Sequence, residues 1–344
     1  MNPSTRERLP SRKRWLRLLR RALLGLLVLP LVLAGAGAVY NALWIRHYRS
    51  LYPPPGKLYL VNSKAMHLYC TGEGAPTIVL EAGHGVDVME WTGVQPAMSE
   101  TTRVCSYDRI GFGWSEPQDG ASDSNGVAER LHALLSQAGI TGPIVLMGHS
   151  LGGLHMRVFA ARFPTKVAGM VFVDATTPES ALHSELLALS DQEDRELKIA
   201  WWGVALGITR LEDECPPPPW VDAHAGWFKA TGCVPSQLDA IRAEGLALRR
   251  SVEQTASTGP FGDLPILILS QDTSRRDSDA PPVWNEAQEG LKRLSTRSRR
   301  IIARGSDHLI PFARADLVNR EVPRFIEQIR TGTTPPETGT TATE

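Results

Sequence analysis

The run Ile144-Val145-Leu146-Met147-Gly148-His149-Ser150-Leu151-Gly152-Gly153 decides how this chain is read. Four apolar residues in succession predict a strand buried on both faces. Leu151–Arg162 then carries a helical pattern that stops ahead of Pro164. A strand that turns this sharply into a helix leaves room only for glycine at 148 and 152, and it lifts the residue between them clear of the sheet. Ser150 is that residue, and it sits near a helix N-terminus, whose partial positive charge favours a developing oxyanion. The expectation is a nucleophilic serine; a merely structural turn is the competing reading.

Outward from that turn, extended and helical patterns alternate. Lys57–Asn62 and Ala65–Cys70 read as a hairpin, and Thr77–Glu81, Thr102–Tyr107, Val167–Val173, Pro265–Ser270 and Arg299–Ala303 read as strands. Val127–Ala138 has apolar residues at helical spacing and closes on Gly139, a suitable C-terminal residue. A last helix is expected from Ala315 to about Arg330. Such alternation predicts an α/β class, a mainly parallel sheet with helices on both faces. Residues 179–259 break it with a helical insertion that carries Trp201, Trp202, Trp220 and Trp227. These tryptophans are candidates for an apolar acyl or alcohol pocket, with ordinary packing inside the insertion as the alternative. The Thr-, Gly- and Pro-rich segment 331–344 is expected to be disordered.

The formal net charge is zero, with 37 basic and 37 acidic residues, but the charges are segregated. Residues 1–21 hold eight basic side chains and one acid, Glu7, so the remainder carries a net charge of −7. That acidic body has no basic stripe, which excludes nucleic acid as an expected partner. The basic head leads into 24 uncharged residues, Ala22–Ile45. As a helix they are long enough to cross a hydrocarbon core of ~30 Å. A transmembrane anchor over 22–45 is expected, with Tyr40 and Trp44 as interfacial side chains. The rival is a cleavable signal peptide processed near Ala34-Gly35-Ala36-Gly37-Ala38, which would give a secreted protein. The basic flank predicts a cytoplasmic N-terminus and an extracytoplasmic remainder. Residues 46–56, which include Pro53-Pro54-Pro55, read as a stiff linker. Four cysteines suit an exported domain, with Cys70–Cys105 and Cys215–Cys233 as candidate disulfides and buried free thiols as the alternative. No Cys-x-x-Cys pair is present, so zinc and thioredoxin chemistry find no support.

Four pieces occur together and in one order: Leu80-Glu81-Ala82-Gly83-His84-Gly85, Tyr107-Asp108-Arg109-Ile110-Gly111-Phe112-Gly113-Trp114-Ser115, the Ser150 turn, and Gly305-Ser306-Asp307-His308. From about residue 57 to 330 the chain resembles the α/β-hydrolase superfamily, helical cap included. The resemblance implies that Ser150 is the nucleophile of a Gly-x-Ser-x-Gly elbow and that His308, after the last strand, is the general base. An imidazole titrating near neutrality suits that proton shuttle. The acid is open between Asp174, at the end of Val167–Val173, and Asp272, after Pro265–Ser270, or Asp277 if that loop is longer; Asp174 is preferred. The oxyanion hole implied by the Ala82-Gly83-His84 turn consists of the His84 and Leu151 amides. This chain has Ala82 where the family turn has histidine, which removes a side chain and no donor. Asp108 and Arg109 are expected to brace the site loops.

The expected function is a membrane-anchored, extracytoplasmic serine hydrolase that cleaves carboxylic esters, its substrate a small-molecule or lipid-like ester. A serine at this position disfavours dehalogenase and epoxide hydrolase chemistry, which in this fold use a carboxylate there. No cofactor or metal is implied. An amidase, aminopeptidase or C–C hydrolase on the same triad is the first alternative. A non-catalytic ligand-binding member and a membrane-tethered structural protein are the others.

Overall fold

A computed structural model describes residues 12–117, 122–182, 191–212, 224–278, 280 and 282–333. Its strands are β1 (Lys57–Val61), β2 (Lys64–Thr71), β3 (Thr77–Glu81), β4 (Val104–Tyr107), β5 (Ile144–His149), β6 (Val167–Val173), β7 (Ile266–Gln271) and β8 (Ser298–Ala303). They form one sheet in the order β1-β2-β4-β3-β5-β6-β7-β8. β2 is antiparallel to both its neighbours, and the other pairs are parallel. The helices are α1 (Arg12–Leu51), α2 (Gln95–Ser99), α3 (Ser124–Gln137), α4 (Gly152–Arg162), α5 (Pro178–Leu182), α6 (Asp191–Ala205), α7 (Ile208–Leu211), α8 (Ala225–Thr231), α9 (Pro235–Ala256), α10 (Val283–Gly290), α11 (Ile310–Ala313) and α12 (Ala315–Thr331).

The central strands are apolar along nearly their whole length because both faces are covered. On one face Leu146, Met170 and Phe172 pack with Leu131 and Leu134 of α3 and Met156 and Phe159 of α4. On the other, Val145, Met147, Val171 and Leu269 pack with Trp91, Met98 and the Val318, Val322, Phe325 and Ile326 stripe of α12. Gly139, just past α3, has φ +70° and so takes the left-handed conformation that closes a helix. Cys70 and Cys105 are directly opposed on β2 and β4 and form a disulfide. Cys215 lies outside the described residues, and with it the expected Cys215–Cys233 pairing.

The helical insertion, α5 to α9, leaves the sheet after β6 and returns at β7. Trp220 lies outside the described residues. At the other end of the chain, α1 is long and apolar enough to cross a membrane, and its most apolar window is unburied. The helix also continues through residues 46–51, half of the expected linker. Residues 46–52 contain no proline or glycine, and one helical stripe of α1, including Gly37, Asn41, Trp44 and Tyr48, rests on the insertion. The tail beyond Thr333 lies outside the described residues.

Candidate functional site

The parallel strands β3 and β5 to β8 all deliver site residues from their C-terminal ends, the edge where open α/β sheets place their ligands. Ser150 follows β5 with φ +49°, a left-handed conformation that a serine adopts only under constraint. The constraint is packing around the turn. A Cβ at Gly148 would approach the Gly152 backbone to 2.9 Å, and one at Gly152 would approach the Glu81 carbonyl oxygen to 2.5 Å. Three backbone hydrogen bonds fix the serine itself: its amide donates to Val173 O at 3.2 Å, and its carbonyl accepts from Thr176 N at 2.9 Å and from Gly153 N at 3.0 Å.

Asp174 follows β6 and is fully buried, also at positive φ (+41°). Its carboxylate accepts four hydrogen bonds. Oδ1 takes the Gln271 amide at 2.9 Å and Trp284 Nε1 at 3.0 Å; Oδ2 takes Gln271 Nε2 at 2.9 Å and His308 Nδ1 at 2.7 Å. The structure thus brings Asp174 and His308 together, and Trp284 adds an edge-on ring contact to His308 with centroids 5.4 Å apart. Nδ1 being occupied, His308 keeps Nε2 as the nitrogen free for proton transfer.

Asp272 is engaged elsewhere. It accepts from Ser274 Oγ at 2.5 Å, from Ser274 N at 3.2 Å and from Gly305 N at 3.0 Å. Burial works to raise its carboxyl, but the Ser274 and Gly305 hydrogen bonds hold it below the ordinary value. Its physical role is to pin the turn that carries His308. Asp277 pairs with Arg275 at 2.6 Å on the surface.

The amides of His84 and Leu151 donate to no protein acceptor among the described residues, whereas Gly83 N is bound by Glu90 Oε2 at 2.8 Å and Gly85 N by Glu244 Oε2 at 3.1 Å. Two unengaged amides beside Ser150 suit an oxyanion hole. Arg109 holds the turn beneath them. Buried, it donates to Glu81 and Ala82 O at 2.8 Å, to Gly83 O at 2.7 Å, and to Glu244 of α9 at 2.5 Å. Burial alone would lower the guanidinium, but Glu244 and Glu81 outweigh it and raise its pKa. Asp108 binds His67 Nδ1 at 2.7 Å and the amides of Val88 and Trp114 at 3.0 Å.

Sequence reading passed over Glu90 and His149. His149 Nδ1 lies 2.5 Å from Glu90 Oε1, and its Nε2 lies 2.9 Å from the carbonyl oxygen of His308. Both ring nitrogens thus face oxygens, an arrangement that favours the doubly protonated, charged ring. Burial opposes that charge, yet the Glu90 carboxylate lifts the imidazole above its ordinary pKa. Glu90 thereby ties the Gly83 turn, the Ser150 elbow and the His308 loop into one network. Asp87, three residues earlier, is pushed up to about 8 by burial first and the Asp108 charge second.

Of the insertion tryptophans, Trp201 donates to Asp239 of α9 at 3.0 Å. Trp227 packs edge-on against Trp114 and Tyr69, and Trp202 is 60% exposed. Among the described residues, none of these three tryptophans shares a hydrogen bond or ring contact with Ser150 or His308. Among the described residues α9 lies against the site, with its Ile241 carbonyl 3.1 Å from His84 Nε2.

Residues 75–202 match the family model for the α/β hydrolase fold. An uncharacterised protein of Schizosaccharomyces pombe is 30% identical over 297 residues, 77% of this chain and 54% of that protein. An uncharacterised vacuolar membrane protein of Saccharomyces cerevisiae is 34% identical over 116 residues, 33% of this chain and 17% of that one. The chain spans about half the length of the first curated relatives it matches. Among solved structures, a thermophilic esterase from Thermogutta terrifontis superposes with a TM-score of 0.58 at 20% identity, covering 79% of this chain and 98% of that one. At that identity the likeness shows the fold alone.

Proposed function

We propose that this chain, which belongs to the α/β-hydrolase superfamily, is a hydrolase that cleaves carboxylic esters through Ser150, His308 and Asp174. Ser150 Oγ attacks the ester carbonyl while His308 Nε2 takes its proton. The charge on the tetrahedral oxygen falls to the His84 and Leu151 amides, each such donor typically worth ~3 kcal/mol. His308 returns the proton to the departing alkoxide, leaving an acyl-serine. Water, deprotonated by the same nitrogen, then attacks the acyl carbon, releases the carboxylic acid and restores Ser150.

The observation that carries this reading is the 2.7 Å contact from His308 Nδ1 to an Asp174 whose four acceptor positions are all filled. A carboxylate so held keeps the imidazole in the tautomer that leaves Nε2 able to accept a proton. The test is a parallel assay of ester, amide and aminoacyl-amide substrates with the Ser150→Ala variant as control. Ester turnover abolished in the variant supports the proposal; amide turnover alone would move it to an amidase or aminopeptidase.

We place the catalytic domain, residues 57–330 with its insertion at about 179–259, on the extracytoplasmic side of the membrane. Residues 22–45 serve as the anchor and the basic segment 1–21 stays cytoplasmic. The unburied apolar window of α1 supports the anchor, and the Cys70–Cys105 disulfide suits an oxidising compartment. The packing of Gly37 to Tyr48 on the insertion favours a retained helix over a signal cut near Ala38.

A further inference from the structure

Where α1 meets the catalytic domain has a bearing on where the bilayer ends. Gly37 is the closest approach: a Cβ there would sit 2.1 Å from the Leu206 carbonyl oxygen, and Gly207 lies against Gly37, Tyr40 and Asn41. Arg210, in α7, donates to Asn41 Oδ1 at 2.6 Å and lies over the Trp44 ring. The uncharged run begins at Ala22, so only 15 residues, 22–36, precede the docked part. At ~1.5 Å per residue they rise roughly 22 Å, short of the ~30 Å hydrocarbon core. The missing length lies along residues 37–42, the stretch to which Leu206–Gly207 is packed. Supplying it from the other side would draw Arg17, Arg20 and Arg21 into the core, where each charge is costly.

The surface beside that contact is apolar. Ile199 and Trp202 are 71% and 60% exposed and share a helical face with Leu206 at spacings of three and four. Ile208 and Leu211 of α7, just beyond Gly207, are 43% and 71% exposed. Four large apolar side chains clustered on two short elements form the kind of patch that marks an interaction surface, and a tryptophan beside an arginine is a typical interfacial pair.

We propose that α6 and α7 lie in the outer bilayer interface beside α1, and that the enzyme draws a membrane-partitioned acyl ester from that leaflet. This rests on the anchor and esterase readings above and adds the substrate's source. The seat is coupled to the site. Arg242 of α9 pairs with Asp194 of α6 at 2.5 Å, and Trp201 of α6 with Asp239 of α9 at 3.0 Å, while α9 reaches the oxyanion turn through Ile241 and Glu244. The membrane-lying helix and the helix over Ser150 are therefore cross-linked.

The test uses full-length protein reconstituted into phosphatidylcholine vesicles, with Ile199→Ser, Trp202→Ser and Leu211→Ser combined. These side chains are exposed, so folding is spared. Hydrolysis of a soluble acetyl ester is expected to stay unchanged, while hydrolysis of a long-chain ester dissolved in the vesicles falls about tenfold or more, equivalent to ~1.4 kcal/mol of lost interfacial seating. Independently of activity, lipids brominated near the headgroup should quench wild-type fluorescence more than that of Trp202→Phe. Equal quenching together with unchanged vesicle activity would overturn the proposal. So would substitutions that only dissociate a detergent-solubilised dimer, which would make the patch a self-association face. A wild type that shows Trp202 quenching but hydrolyses neither ester would sink the esterase reading and leave the interfacial seat standing.

Discussion

Asp174→Asn separates catalysis from stability at this site, and its outcome can be worked from the hydrogen bonds. Two of the four donors to Asp174, the Gln271 backbone amide and Trp284 Nε1, cannot become acceptors, and both point at Oδ1. An asparagine must therefore keep its oxygen there and place its NH₂ where Oδ2 was. The two groups facing that position can adapt. The Gln271 side-chain amide, 2.9 Å away, can flip, and the His308 ring, 2.7 Å away, can change tautomer. Every group remains paired, so the loss of stability should stay within about 1 kcal/mol, the net worth of a single hydrogen bond. The tautomer change is ruinous for chemistry, because His308 would then carry its proton on Nε2 and could not take one from Ser150. A carboxylate-to-amide change of this kind lowers kcat about 10⁴-fold, or ~5.5 kcal/mol of barrier. The assay pairs kcat on a chromogenic ester with a thermal melt. Asp272→Asn, which affects the bracing of Ser274 and Gly305 and no contact to His308, should keep most of its activity. If Asp174→Asn retained a tenth of wild-type kcat, or Asp272→Asn lost as much as Asp174→Asn, the assignment of the acid would be wrong.

Other consequences follow from the same structure. The Asp87 carboxyl is raised to about 8, above its unfolded value, so the folded state holds a proton that the unfolded chain gives up near pH 4. Wild-type stability should therefore fall as pH rises from 4 to 8. Asp87→Asn should flatten that slope and be the more stable protein at pH 8 by more than about 1 kcal/mol, the worth of one pKa unit, when denaturation midpoints are compared at pH 5 and 8. Replacing Cys70 and Cys105 by serine opens a loop with a sequence separation of 35; the chain-entropy relation puts the loss at roughly 3–4 kcal/mol, seen as a lower melting temperature and mimicked by reductant. Arg109→Met strands Glu81 and Glu244 in a buried site, and a loss of about 3–5 kcal/mol by chemical denaturation is expected. A loss under 1 kcal/mol would mean that those carboxyls are neutral in the folded protein.

The fold was readable because its evidence is local. Four strands, β3, β5, β6 and β7, announce themselves as buried, unbroken apolar runs, and Gly148 and Gly152 mark a turn that admits no Cβ. The acid was harder to read. Asp174 and Asp272 each follow a strand, and what separates them is made of long-range contacts: Gln271 and Trp284, 97 and 110 residues from Asp174, converge on it. Glu90 and His149 escaped notice for the same reason, since 59 residues separate the two partners. A charged residue inside the otherwise apolar Val88–Trp91 was the available signal. The linker reading was overdrawn because it weighed Pro53 to Pro55 and not the Trp44–Tyr48–Tyr52 stripe, which extends α1 onto the insertion.

The central claim is that Ser150 is the nucleophile of a triad completed by His308. Full-length protein in detergent should be treated with a fluorophosphonate probe and digested, and the modified peptide identified by mass spectrometry. Labelling should fall on Ser150, disappear in Ser150→Ala, and drop sharply in His308→Ala and Asp174→Asn while all variants retain wild-type melting behaviour. Ester hydrolysis that persists undiminished in a folded Ser150→Ala variant, or a label found on another serine, would contradict it.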